Sequence, residues 1–130
     1  MFTEADLIFV YTRKDAIEDG VLVDANVGEL DEVTRQFFKI PVAMTVGVWE
    51  LMYRAVANKK YMNDWKGVWH DIMWMCYLTA RRYGSKPEFV FRVIITGTGR
   101  RRIHELRAVI GAVGPDDPAP CMTIMLPNED

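Results

Sequence analysis

The 130-residue sequence predicts an α+β fold, with N-terminal helices packed on one face of a C-terminal three-stranded antiparallel β-meander. Three observations predict it. Apolar residues recur at helical spacing up to about residue 84, and after Pro87 their period drops to two. The connections between the later apolar runs are too short for a crossover, so those strands run antiparallel. The length suits one domain, residues 1–130, helical over about 1–84 and a meander over about 88–126. With 50% apolar and 26% charged residues, the composition is that of an ordinary globular chain and argues against disorder.

The elements follow in order. Leu7-Ile8-Phe9-Val10-Tyr11 is a short apolar run compatible with a strand or a buried turn of helix. Thr12 and Asp15 come close to a capping box and open a short helix, Arg13–Asp19, with Ala16 and Ile17 inward. Gly20 follows where a left-handed C-cap is wanted, because glycine has no Cβ to clash at positive φ. Val21-Leu22-Val23 reads as extended. Asp24 or Asn26 is placed to cap a second helix, Val27–Phe38, with Leu30, Val33, Phe37 and Phe38 at roughly helical spacing. Pro41 breaks it. After the brief apolar stretch Val42-Ala43-Met44, Thr45 caps a third helix running to about Ala57, and residues 58–63 form a polar loop.

The best-defined helix runs from about Asp64 to Tyr83 and ends at Gly84, with Arg81 and Arg82 set against the negative end of its dipole. Trp65, Trp69, Ile72, Met73, Cys76, Ala80 and Tyr83 form its core stripe. Trp74 and Leu78 lie on the opposite side. A helix apolar on both sides is either sandwiched or presented to a partner. Glu88–Thr96 is the first meander strand, Gly97-Thr98-Gly99 a turn, and Arg102–Val113 the second strand. The cluster Gly114–Pro118 turns again, and Cys121–Leu126 closes the sheet.

Bulk chemistry narrows the function. The longest uncharged stretch, Pro118–Asn128, is too short to span a bilayer, so no membrane association is expected. The acidic, base-free start shows no signal peptide, which predicts a cytoplasmic protein with reduced thiols. Cys76 and Cys121 read as buried apolar residues, and no Cys/His spacing suggests a metal or cofactor. Charge is strongly segregated: residues 1–32 hold nine acids and two bases, residues 33–107 fourteen bases and five acids. Two faces that neutralise one another, or two patches aimed at partners, both account for this.

Tyr11-Thr12-Arg13 with Ala16-Ile17-Glu18-Asp19-Gly20-Val21-Leu22-Val23-Asp24 forms a distinctive opening. Pro41-Val42-Ala43-Met44-Thr45 with Val48-Trp49, Trp69-His70-Asp71 with Trp74-Met75, and the ending Thr123-Ile124-Met125-Leu126-Pro127-Asn128-Glu129-Asp130 accompany it. Together they resemble a family of small proteins of undefined function encoded by phages, plasmids and other mobile elements. The resemblance implies an intracellular accessory protein of a mobile element. It brings no catalytic residues to transfer.

Asp15, Glu18, Asp19 and Asp24 are an acidic patch with the residue types of an acid/base pair or hard-cation site, yet capping explains Asp15 and no calcium-loop pattern follows. His70 and Asp71, adjacent on a helix, are expected to point about 100° apart and not to face each other. A non-local active site would need Asp19, Asp24 and His70 to converge. No nucleophile elbow, phosphate loop or dinucleotide fingerprint is present, so enzymatic activity is disfavoured. Arg100, Arg101 and Arg102, with Arg92 and Arg107 on the adjoining strands, are the strongest basic feature. They suit a nucleic-acid backbone or an anionic protein, or serve as a charged tip that guards a sheet edge. Trp74, Leu78, Arg81 and Arg82 are the candidate contact residues for a protein partner or a second copy of the chain. The expected function is therefore non-enzymatic protein binding, of a host or defence component, with counter-defence inhibition as one form. The alternative is a small nucleic-acid-binding accessory protein using the arginine hairpin.

Overall fold

The computed structural model describes residues 13–84, 86–114 and 116–129. The Leu7–Tyr11 run, Thr12 of the capping box and Pro115 of the turn cluster lie outside the described residues. In chain order the elements are α1 (Arg13–Glu18), β1 (Leu22–Asp24), α2 (Gly28–Phe37), β2 (Val42–Thr45), α3 (Val46–Ala57), α4 (Trp65–Tyr83), β3 (Glu88–Ile94), β4 (Ile103–Gly114) and β5 (Asp117–Met125).

The strands form one five-stranded sheet in the order β1-β2-β5-β4-β3. Strand β2 runs parallel to β5, and the other neighbours are antiparallel. This corrects the expected three-stranded antiparallel meander behind a block of N-terminal helices. The fold is α+β, but the sheet is mixed and two of its strands lie among the helices. The physical reason is length. Segments of three and four residues, Leu22–Asp24 and Val42–Thr45, are too short to display a period. All four residues of β2 are buried, as befits an inner strand covered on both sides, so it shows no alternation.

Local chemistry fixes most boundaries. Thr45 Oγ1 accepts from Val48 N at 3.4 Å, capping α3 as expected, and Asp64, expected as the start of the long helix, stands before α4 as its N-cap, its Oδ1 accepting from Gly67 N at 2.9 Å. Gly20 and Gly84 take positive φ where the helices before them end. Helix α2 departs from expectation. Its N-cap is Val27 with no side-chain cap. Asp24 accepts instead from Asn26 N, and Asn26 Oδ1 accepts from Val42 N at 2.7 Å, tying the chain before α2 to β2.

One sheet face carries the main apolar cluster. Phe89, Phe91 and Val93 of β3, Leu106 and Ala108 of β4, Met122 and Ile124 of β5, and Val42 and Met44 of β2 point into it. They meet Trp69, Ile72, Met73 and Cys76 of α4 and Val48, Leu51 and Met52 of α3. The α4 stripe differs from expectation at its end: Tyr83 is exposed and Val68 is buried. On the other face, Ala43, Cys121 and Met125 are buried apart from this cluster. Arg13 reaches across that side, donating to Thr123 Oγ1 at 2.9 Å and to Met122 O at 2.7 Å. The closing residues fold back onto the sheet as well. Glu129 Oε1 accepts from Thr45 Oγ1 at 3.0 Å and Leu126 N at 3.2 Å, and Glu129 O accepts from Arg107 Nη2. Arg13 of the opening motif and Glu129 of the closing motif are thus both bonded to the sheet.

Candidate functional site

Among the described residues, strand β3 ends the sheet beside β4, and no strand pairs with its outer edge. Ile110 N donates to Pro87 O at 2.7 Å and Ile95 N to Arg102 O at 2.8 Å. Odd-numbered residues of β3 therefore turn their peptide groups toward β4. Antiparallel pairing alternates, so the N–H and C=O groups of Glu88, Val90, Arg92 and Ile94 turn outward. Protein edges are commonly guarded by proline, a bulge, brevity or inward-pointing charge. Strand β3 is seven residues long, has no proline within it, and pairs without a register shift.

Apolar side chains flank this edge on both sides. On the sheet face away from the main core, Ile94 stands opposite Ile103, and they are 62% and 57% exposed. Val90 of the same row is exposed too. On the helix side, Trp74 is 45% and Leu78 40% exposed. Asp71, Trp74 and Met75 of α4 line a concavity of about 340 Å³ together with Ile94 and Ile103. Trp74 is held there by its rings: it meets Phe37 edge-on at 5.8 Å and stacks with Tyr77 at 6.5 Å. Arg81 lies 5.8 Å above the Tyr77 ring, and Arg82 is exposed. Sequence reasoning singled out Trp74 and Leu78 but missed Val90, Ile94 and Ile103. A partial signal was present, since Val90 and Ile94 are apolar on the alternating set that carries Glu88 and Arg92, while the set of Phe89, Phe91 and Val93 already supplies a core face.

The arginines divide. Arg100, Arg101 and Arg102 are exposed in the β3–β4 connection. Arg101 and Arg54 share a second concavity with His104, whose Nε2 lies 2.9 Å from Thr98 Oγ1. Burial, with Arg101 and Arg54 nearby, holds the His104 pKa below its usual value. Arg92 sits opposite Glu105 at 3.8 Å. Arg107 is half-buried against the chain end, donating to Glu129 O and Met125 Sδ.

The acidic residues are not gathered into one acidic surface. Glu18 and Asp24 line a concavity of about 740 Å³ with Arg13, Lys14, Arg35 and Lys39, and neither Asp19 nor His70 is among its lining residues. Asp15 lies in the first turn of α1, and Asp19 follows that helix. Burial lowers the Arg13 pKa, against the opposing influence of Cys121 and Asp24. His70 Nδ1 approaches Asp71 Oδ1 at 3.6 Å, so these neighbours do meet, contrary to the angular expectation, through side chains that lean together at the exposed surface. His70 also packs edge-on to Phe37 at 5.3 Å. Among the described residues, no group of three or more His, Cys, Asp or Glu is arranged to hold a metal ion, and no helix is long and apolar enough to cross a membrane.

A family model described as a family of unknown function, DUF6573, matches residues 1–130, and the chain belongs to that family. No curated protein and no solved structure matches it.

Proposed function

We propose that this member of a family without an assigned function is a non-catalytic, cytoplasmic binding protein, an accessory of a phage or plasmid that acts by occupying the surface of a host or defence component. One observation carries the reading. The outer edge of β3, unpaired among the described residues, has apolar side chains on both flanks, with Trp74 and Leu78 on α4 and Val90, Ile94 and Ile103 on the exposed sheet face. Exposed apolar groups beside free backbone donors and acceptors suit an added strand of a protein, which takes affinity from main-chain hydrogen bonds and specificity from side-chain pockets. Counter-defence inhibition follows from the mobile-element resemblance as the form such binding takes. The test is capture from host lysate on the parent chain beside a Trp74→Ala, Ile94→Asp variant. Loss of one retained host protein with the variant supports the reading, and equal retention overturns it.

A second reading rests on Arg100, Arg101 and Arg102, which stand exposed with Arg54 close by. A cationic tip of this kind suits a nucleic-acid backbone. Retention on heparin or DNA that falls steeply with salt and is lost in Arg101→Glu supports it. Passage through the column at low salt dismisses it.

A further inference from the structure

We infer that the strand completing the β3 edge is the β3 of a second copy of this chain, paired antiparallel about a two-fold axis at Val90. The inference rests on the reading of this edge as a contact surface and names its occupant. The register selects the axis. Glu88, Val90, Arg92 and Ile94 turn their peptide groups outward, so a two-fold axis that pairs them passes through one of them or through Phe89, Phe91 or Val93 between them, and only an axis at Val90 sets Glu88 opposite Arg92. Centring on Glu88 sets carboxylate against carboxylate, and centring on Arg92 sets guanidinium against guanidinium. Like charges directly opposite in a sheet destabilise it. Centring on Ile94 leaves Glu88 and Val90 beyond the end of the facing β3, opposite residues 100 and 98.

Centring on Val90 removes both conflicts. Val90 then meets Val90, and each Glu88 faces Arg92 of the second copy, giving two opposite-charge pairs from one symmetric operation. Arg92, already opposite Glu105 within its own sheet, becomes flanked by carboxylates on both sides. The five-stranded sheets join into one of ten strands. Helix α4 packs on the edge strand, with Trp74 and Met75 beside Ile94, so joining the strands brings the two α4 helices together and covers Trp74 and Leu78. A host protein reading the same edge has to displace the second copy, so the two contacts are mutually exclusive.

The register is tested by cross-linking. In a hydrogen-bonded antiparallel pair, opposed Cα atoms are about 5.5 Å apart, within disulfide range. A Val90→Cys chain is expected to form a covalent dimer on mild oxidation, whereas Ile94→Cys, set opposite Lys86, is not. The native Cys76 and Cys121 are buried and do not compete. In sedimentation the parent chain is expected to run as a dimer at micromolar concentration. Glu88→Arg, at an exposed position, is expected to raise the dissociation constant about tenfold without changing the monomer's thermal unfolding. A monomeric parent chain, equal cross-linking at both positions, or an unaffected Glu88→Arg dimer overturns the inference. A monomeric chain whose lysate capture still depends on Trp74 and Ile94 retires self-pairing alone, whereas edge-independent capture retires the contact edge.

Discussion

The Trp69 indole Nε1 donates to the Thr34 hydroxyl at 2.9 Å, and neither residue has exposed surface. The same hydroxyl is 2.8 Å from Ala25 O, so one buried side chain joins α4 to α2 and to the segment after β1. Burying a donor or acceptor without a partner costs more than a made hydrogen bond contributes. Thr34→Val keeps the shape and strands both partners. It is expected to lower stability by about 2–3 kcal/mol, read as a shifted urea midpoint with an unchanged slope, while Thr34→Ser loses much less.

The chain end is a structural clasp. Glu129→Ala removes acceptors from Thr45 Oγ1 and Leu126 N, at an expected cost of about 1–2 kcal/mol. A Cβ at Gly47 would stand 2.5 Å from Glu129 Oε1 and 2.8 Å from Leu126 Cδ1. Gly47→Ala should therefore displace the tail despite the helix-propensity gain of alanine. Thermal unfolding of the two single variants and the double variant checks this. The expected result is strong non-additivity, with Gly47→Ala costing less once Glu129 is already gone.

The lowered pKa of His104 gives a pH dependence of definite sign. Between its folded value and the ordinary 6.5, the unfolded chain binds more protons than the native one. This group is neutral in both states above that window and costs no stability there. As pH falls through the window, stability falls with it. His104→Gln is expected to flatten the difference in denaturation midpoint between neutral and mildly acidic buffer, and an unchanged difference would contradict the assignment.

Burial pushes the Cys76 thiol up to about 12. Its Sγ lies 3.9 Å from Met122 Sδ inside the main cluster. Because the thiolate is the reactive form, alkylation of Cys76 is expected only at the rate of unfolding. Mass spectrometry of chains alkylated with and without urea reads it directly.

Features fixed by neighbouring residues were legible in the sequence. The cap at Thr45, the glycine stops at 20 and 84, and most of the α4 stripe each depend on residues within a turn or two. Features fixed by strand order were not. Val42–Thr45 became an inner strand only because Met122–Ile124, far along the chain, lies parallel to it. Arg107 resembled a surface cation until the tail folded over it, and Asn26 resembled a cap until Val42 took its carbonyl. The candidate site was half visible for the same reason. Trp74 and Leu78 announce themselves on a helical wheel, whereas the exposure of Val90, Ile94 and Ile103 depends on β3 ending the sheet.

Residue-resolved amide exchange along β3 tests the contact edge most directly. Phe89, Phe91 and Val93 donate inward to β4 and are expected to exchange slowly whether or not a second strand is present. Val90, Arg92 and Ile94 are expected to exchange fast in dilute monomer and to slow once the edge is occupied, at high concentration or with a captured protein bound. Amides at these even positions that stay equally fast in the assembled state would contradict the account.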